Sequence, residues 1–389
     1  MPISNVHSPR KGLILQAMRI FRLIPLLTFS AFAAAQSPAP PQAPWQMQDS
    51  GTTAGLRGID SVDGTVAWAS GTGGTVLRTT DGGAHWTKCA VPDAAKDGST
   101  LDFRGVQAWD GDTAIVMASG PGEKSRLYKT TDGCNTWKLV FMNPDKDGFW
   151  DAFSVADNNN LMVLGDPVGS EFTVLSTADG GTTWEKIHDN GLRSNAKEGA
   201  FAASNSSLVV LWDDGVSAFG TGSTSGARLF YECDPCTRKA MWTSSALPMF
   251  SKGTVAGIFA IEYRDWRHWL AVGGNYTKPN EPTGIAARSS DGGLTRTAST
   301  TQPHGFRSAV QWGESLQAWI TVGTNGSDIS RDDGKTWQPL DDGNWNALSL
   351  PFVVGPDGRI ARINPAALAP PAVTKGTPAG TEANPSKVK

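Results

Sequence analysis

The chain has 389 residues, with 34 Lys and Arg against 37 Asp and Glu, 39% hydrophobic and 18% charged residues, 44 Gly, 24 Pro and 15 Trp. A formal charge of −3 gives phosphate no general attraction, which excludes nucleic-acid binding driven by bulk charge. Low charge with abundant Gly is the composition of a turn-rich β protein.

Residues 1–35 contain Arg10, Lys11, Arg19 and Arg22, no acidic residue, and an apolar run from Leu23 that ends in Ala33-Ala34-Ala35. That order predicts a secretory signal cleaved before Gln36, with Met18 as an alternative start of a more compact leader. The run is too short to span a bilayer, and no later segment reaches the ~20 apolar residues of a span. No Cys stands at the cleavage point, which argues against a lipid anchor. Removing residues 1–35 leaves a formal charge of −7, so the mature protein is expected to be acidic, soluble and exported, periplasmic or secreted. Residues 36–44 read as a Pro-rich spacer, 45–364 as the folded part, and 365–389, rich in Pro, Ala, Thr and Lys without aromatics, as a disordered tail.

The folded part repeats itself. Thr79-Thr80-Asp81-Gly82-Gly83-Ala84-His85-Trp86 recurs at 130–137, 177–184 and 330–337, and with Arg296 in place of Trp at 289–296. A degenerate sixth copy falls at 232–242, around Asp234. The Asp positions 81, 132, 179, 234, 291 and 332 lie 51, 47, 55, 57 and 41 residues apart, the period of one four-stranded propeller blade. Within the motif the carboxylate accepts nearby backbone N–H groups, Gly takes positive φ, Thr or Ser ties the same turn and Trp packs between blades. These Asp residues are therefore turn staples and not catalytic groups.

In blade 1 the pattern predicts strands over 57–62, 66–71, 76–80 and 86–91, and in blade 2 over 103–109, 114–119, 126–131 and 137–141. Residues 345–350, 352–355 and 359–363 supply three strands of a seventh blade, without a closing Trp-led strand. Trp45-Gln46-Met47-Gln48 matches the phase of Trp86-Thr87-Lys88-Cys89, so the N-terminal strand is expected to close the ring and remove an open edge. The expected fold is an all-β, seven-bladed β-propeller of about 46 residues per blade.

The motif resembles the Asp-box, or bacterial neuraminidase repeat, of sialidases and of the photosystem II assembly and stability factors. With the motif in most blades and short loops, the chain is more similar to the assembly factors. That resemblance implies an exported, non-catalytic binding or assembly scaffold, monomeric, with an unidentified protein or carbohydrate ligand. The alternatives are a sialidase-like or other glycoside hydrolase and a carbohydrate-binding propeller.

Candidate chemistry is sparse. Cys233-Asp234-Pro235-Cys236 is read as a local disulfide, against a small redox loop or half a zinc site, and a bridge between Cys89 and Cys134 in neighbouring blades is left open. The His residues are scattered, so no metal is expected. Without a nucleophile elbow, a Walker loop or a Gly-rich turn that opens a helix, no cofactor is expected either. Trp150, Trp266, Trp269, Trp312, Trp319 and Trp345 stand outside the repeat, and one or two at most should be exposed to a ligand.

The starts of the innermost strands, opposite the Asp-box turns, carry Arg57, Arg104, Asp151, Glu198, Arg307 and Asn346, and these are expected to converge on one mouth of the central channel. Asp166, Asn275 and Tyr276 lie on loops of the same face and are candidate rim residues. An arginine triad holds the substrate carboxylate in sialidases. Here Arg57 is followed by Gly58 rather than Ile-Pro, and none of Tyr128, Tyr231, Tyr263 and Tyr276 falls on the inner strand of blade 6, which removes the covalent step of that mechanism.

Overall fold

The computed structural model describes residues 42–91, 101–211, 215–233, 241–248 and 250–368. The leader, the centre of the degenerate sixth motif, the Cys233–Cys236 bridge and the tail beyond Leu368 lie outside the described residues. Each predicted repeat folds as one four-stranded antiparallel sheet, and seven such sheets form a β-propeller. Blade 1 runs Leu56–Ser61, Ala67–Gly71, Thr75–Thr79 and Thr87–Cys89, within two residues of the sequence pattern at most ends. Second strands such as Ala67–Gly71, Ala114–Ala118 and Val216–Gly220 are buried at every position, because neighbouring blades cover both faces.

The five clear motifs share one hydrogen-bond pattern. In the third, Thr177 Oγ1 donates to Asp179 Oδ1 at 2.8 Å and accepts the Gly181 N–H at 3.1 Å, while Asp179 takes the Thr183 N–H at 2.9 Å and its hydroxyl at 2.6 Å. Asp132, Asp291 and Asp332 repeat this with Thr136, Thr295 and Thr336, and at Asp81 the second donor is the His85 ring, 2.7 Å away. Gly180 and Gly181 sit at φ 73° and 89°, where a Cβ is costly. The motif tryptophans face inter-blade space: Trp137 lies edge-on to Trp68 at 6.2 Å and Trp184 stacks on Phe141 at 4.7 Å. In the copy that lacks Trp, the Arg296 guanidinium lies over the Tyr231 ring at 5.4 Å.

Trp45–Gln48 pairs antiparallel with Ile360–Ile363, from Trp45 opposite Ile363 to Gln48 opposite Ile360, and completes the sheet of blade 7. Trp45 is buried 6.0 Å from Trp345, and its indole N–H donates to Ser327 Oγ of blade 6 at 2.9 Å. Ordered chain continues beyond the predicted limits on both sides. The Asn364 N–H donates to Pro44 O at 2.8 Å, and Pro365–Leu368 forms a 3-10 turn whose Leu368 is buried in the core of blades 6 and 7.

A disulfide joins Cys89, on the outer strand of blade 1, to Cys134, which occupies the second Gly position of the next motif at φ 68°. It closes a loop of 45 residues between adjacent blades. Replacing Trp45 with Ala, which removes a fully packed closing residue, is expected to cost about 3–5 kcal/mol in urea-induced unfolding. The Cys89→Ser, Cys134→Ser pair should cost ~3–4 kcal/mol by loop-closure entropy, read as a lower melting temperature that reducing agent does not lower further.

Candidate functional site

Backbone bonds place the inner strands in a common frame. Gly55 O, Asp102 O, Phe149 O and Gly199 O accept from Thr72, Ser119, Asp166 and Gly222 of the same blade's second strand, at 2.9–3.0 Å. The next N–H in blades 1, 5, 6 and 7, on Leu56, Ile258, Arg307 and Trp345, reaches back to the preceding blade. Aligned this way, the inner segments read Leu56-Arg57-Gly58-Ile59-Asp60, Phe103-Arg104-Gly105-Val106-Gln107, Trp150-Asp151-Ala152-Phe153-Ser154, Ala200-Phe201-Ala202-Ala203-Ser204, Ile258-Phe259-Ala260-Ile261-Glu262, Arg307-Ser308-Ala309-Val310-Gln311 and Trp345-Asn346-Ala347-Leu348-Ser349. The second position falls on a β-bulge at Arg57, Arg104, Asp151 and Phe259, which turns that side chain into the channel. The third is always Gly or Ala, since inner strands meet closely there. A Cβ on Gly58 would lie 3.1 Å from Arg104 O of the next blade.

All seven second-position residues line one cavity of about 490 Å³ at the channel mouth. All seven fifth-position residues line another, of about 310 Å³, at the opposite end. The lower ring is structural in several blades. Asp60 Oδ2 accepts the Ala108 N–H at 2.7 Å, Gln311 Oε1 the Leu350 N–H at 2.6 Å and Ser349 Oγ the Ser61 N–H at 2.9 Å, each across a blade boundary.

The mouth contains Arg57, Arg104, Asp151, Asp166, Tyr276 and Asn346 from the sequence-derived set. Arg307 is not among its lining residues, because it holds the first position of its segment, where the other blades are apolar. One residue of phase turns the side chain to the opposite face. It is fully buried, with Nε 2.7 Å from Asp328 Oδ2 and Nη1 donating to Phe306 O and Asn325 Oδ1 at 2.6 Å each. Ser308 takes the place expected for it. Glu198 also falls outside the mouth, three residues before the true position, Phe201. It binds Arg228 through Nε at 2.9 Å and accepts the Thr221 hydroxyl at 2.6 Å, on the wall of an adjoining groove. Asn275 caps its own turn, accepting from the Thr277 N–H and hydroxyl at 3.0 and 2.7 Å. Of the uncommitted tryptophans, Trp266 is the exposed one.

Two features of the mouth escaped the sequence pattern. Asp102, immediately before the blade 2 segment, sits between the arginines, 3.2 Å from Arg57 Nε and 2.8 Å from Arg104 Nε, and so offsets their mutual repulsion. Arg104 also donates to Ala202 O at 3.0 Å, across the channel. The other half of the rim is aromatic. Phe201 stacks on Phe259 at 3.7 Å, and Phe306 and Tyr276 meet Phe259 edge-on at 4.8 and 6.1 Å.

The mouth carboxyls are poised differently from the turn carboxylates. Burial, then the charge of Asp166, raises Asp151 well above the usual range, with Arg104 opposing. Burial pushes Asp166 up to about 6 against the Ala200 N–H it accepts at 3.1 Å. Around the lower cavity burial raises Asp60 to about 6 and Glu262 to about 8.

The geometry defines a seven-bladed β-propeller with a recognition-sized mouth, polar over blades 1–3 and aromatic over blades 4 and 5. No protein-family model and no curated protein matches the chain. Solved structures do. A YCF48 protein bound to a D1 peptide superimposes with a TM-score of 0.58 at 17% identity, over 84% of this chain and 98% of that one. YCF48 from Cyanidioschyzon merolae gives 0.56 at 20% identity, over 83% and 100%. The WD40 propeller domain of Doa1 gives 0.52 at 12% identity, over 82% and 97%. At these identities the likeness is one of fold.

Asp60, Asp166 and Glu262 bind protons more tightly folded than unfolded, where carboxyls titrate near 4. Their ionisation therefore costs stability from about pH 4 upward, through about pH 6 for Asp60 and Asp166 and about pH 8 for Glu262. Glu262→Gln should flatten the decline of melting temperature between pH 6 and 8. An unchanged slope would contradict the assignment.

Proposed function

We propose that the protein is an exported, non-catalytic propeller that captures an extended segment of another protein at the channel mouth. The observation that carries this reading is the ring of seven second-position side chains. It brings two guanidiniums, the Asp151 carboxyl, stacked aromatics, Ser308 and Asn346 around one opening, which Asp166 joins from the second strand of blade 3. Interfaces of this kind use aromatic and Arg anchors within a polar setting. A cavity of about 490 Å³ suits a few side chains rather than a whole domain face. The YCF48 propeller bound to a D1 peptide supports a peptide as the class of ligand, as does the similarity of the repeats to photosystem II assembly factors.

The glycosidase alternative loses one of its three proposed arginines to the buried Arg307–Asp328 ion pair. Two arginines held by one carboxylate remain, beside aromatics suited to backbone and side chains as well as to sugar faces.

A photo-crosslinking residue at Tyr276, introduced in the source cells, should capture a discrete protein partner through a defined segment. Arg57→Ala with Arg104→Ala should reduce capture at least tenfold while leaving the far-ultraviolet circular dichroism unchanged. If the parent instead hydrolyses a fluorogenic sialoside and the double variant does not, the enzyme reading replaces this one.

A further inference from the structure

The two charged ends of the mouth are not equivalent. Both arginines face a carboxylate: Asp102 accepts a hydrogen bond from Arg104 Nε at 2.8 Å and forms an ion pair with Arg57 Nε at 3.2 Å without a hydrogen bond, and Arg104 donates a further N–H to Ala202 O. Among the described residues the carboxyl end makes no salt bridge, and Arg104 acts on Asp151 only through its charge. Asp151 is 2% exposed on the mouth lining, and its Oδ2 has no hydrogen-bond partner. A buried unpaired carboxyl oxygen is costly and uncommon, so it calls for an explanation. Asp166 stands beside it and accepts the Ala200 N–H at 3.1 Å. Phe149 and Phe201 flank Asp166, and together with Tyr276 they line both the mouth and an adjoining groove of about 590 Å³.

Resting on the reading of the mouth as a site for a protein segment, we propose that Asp151 and Asp166 form a subsite for an alkylammonium group, a lysine side chain of the bound segment. An ammonium offers three donors in place of the missing one, and the rings of Phe149 and Phe201 accept its methylenes and its positive edge. The alternative occupant of a charged mouth, an anion, finds one of the two guanidinium charges offset by Asp102 and the carboxyl pair beside them.

Charge bookkeeping agrees. With every group ionised, Arg57 and Arg104 face Asp102, Asp151 and Asp166, a net charge of −1. The other charged groups near these carboxyls lie along the groove: Asp147, Lys197 and Glu198, the last paired with Arg228. Burial raises both carboxyls, Asp151 also through the charge of Asp166, so protons compete with an ammonium for the pair as pH falls.

Calorimetric titration of the full chain with Nα-acetyl-lysine N-methylamide, at pH 7 and at pH 5, tests this directly. The probe should bind at pH 7 and about tenfold more weakly at pH 5, where protons compete for Asp166 at a pKa of about 6. The Nε-acetylated probe should not bind. Asp166→Asn should weaken the lysine probe at least tenfold, and Asp151→Asn provides the same reading if the first variant misfolds. Equal heats from the two probes, binding of acetate in their place, or preference for an amino-terminal amine such as glycine N-methylamide would overturn the proposal. Partner capture that depends on Arg57 and Arg104 without amine binding removes the subsite alone. Amine binding without a crosslinked partner removes the protein-segment reading alone.

Discussion

Ring closure is the constraint on which the rest depends. A blade's two faces are apolar because each is meant to lie against another blade, and the cores do not respect blade boundaries. Trp45, from the N-terminal strand, sits in one cluster with Ala318, Ile320 and Ile329 of blade 6 and Val353 and Ala361 of blade 7. Leu56 and Leu77 of blade 1 share another with Phe352 and Ile360 of blade 7. Opening the ring at Trp45–Gln48 would expose a strand edge and strip the first of these clusters of a wall. The disulfide between Cys89 and Cys134 reinforces the same circular order at the next junction.

Closure also divides the carboxylates into two populations. Those of the Asp-box turns stand in solvent and accept two to four N–H and O–H groups, which holds Asp81, Asp179 and Asp291 down at about 2. The cause at Asp179 is first the Thr183 hydroxyl and then its N–H. Those inside the channel have left water for a narrow lumen and are raised instead. The turn population contributes stability above about pH 4 that is lost as pH falls toward 2, whereas the channel population erodes stability above about pH 4. Carboxyls thus do opposite things at the two locations, by hydrogen bonding in the turns and by burial in the channel.

The blades were legible in the sequence because their signal is local: Asp, Gly, Thr and Trp at fixed spacing are all explained by one turn. The mouth was only partly legible because it depends on phase across blades. Arg57, Arg104, Asp151 and Asn346 were placed correctly by counting from the strand starts. Arg307 and Glu198 fall outside the mouth because each lies off that phase, Arg307 one residue before Ser308 and Glu198 three before Phe201. Requiring Gly or Ala at the third position and a polar residue at the fifth would have selected Ser308, with Ala309 and Gln311, and Phe201, with Ala202 and Ser204. Asp102 precedes the segment that defines the pattern, and its role appears only when two neighbouring blades bring both guanidiniums to it.

That five-residue frame also explains why the mouth is free to be asymmetric. First positions pack between blades, third positions meet the next inner strand and fifth positions bridge blade boundaries at Asp60, Gln311 and Ser349. The second position faces the mouth in every blade and differs around the ring. Charge gathers on blades 1, 2 and 3, aromatic surface on blades 4 and 5, and small polar groups on blades 6 and 7. Any ligand that carries both charge and apolar surface then has one favourable orientation across the channel out of seven related by the fold, because rotating it by one blade sets apolar groups over Asp151 or charge over Phe259. The symmetry of the scaffold supplies the ring, and the unevenness of one position in each blade supplies direction.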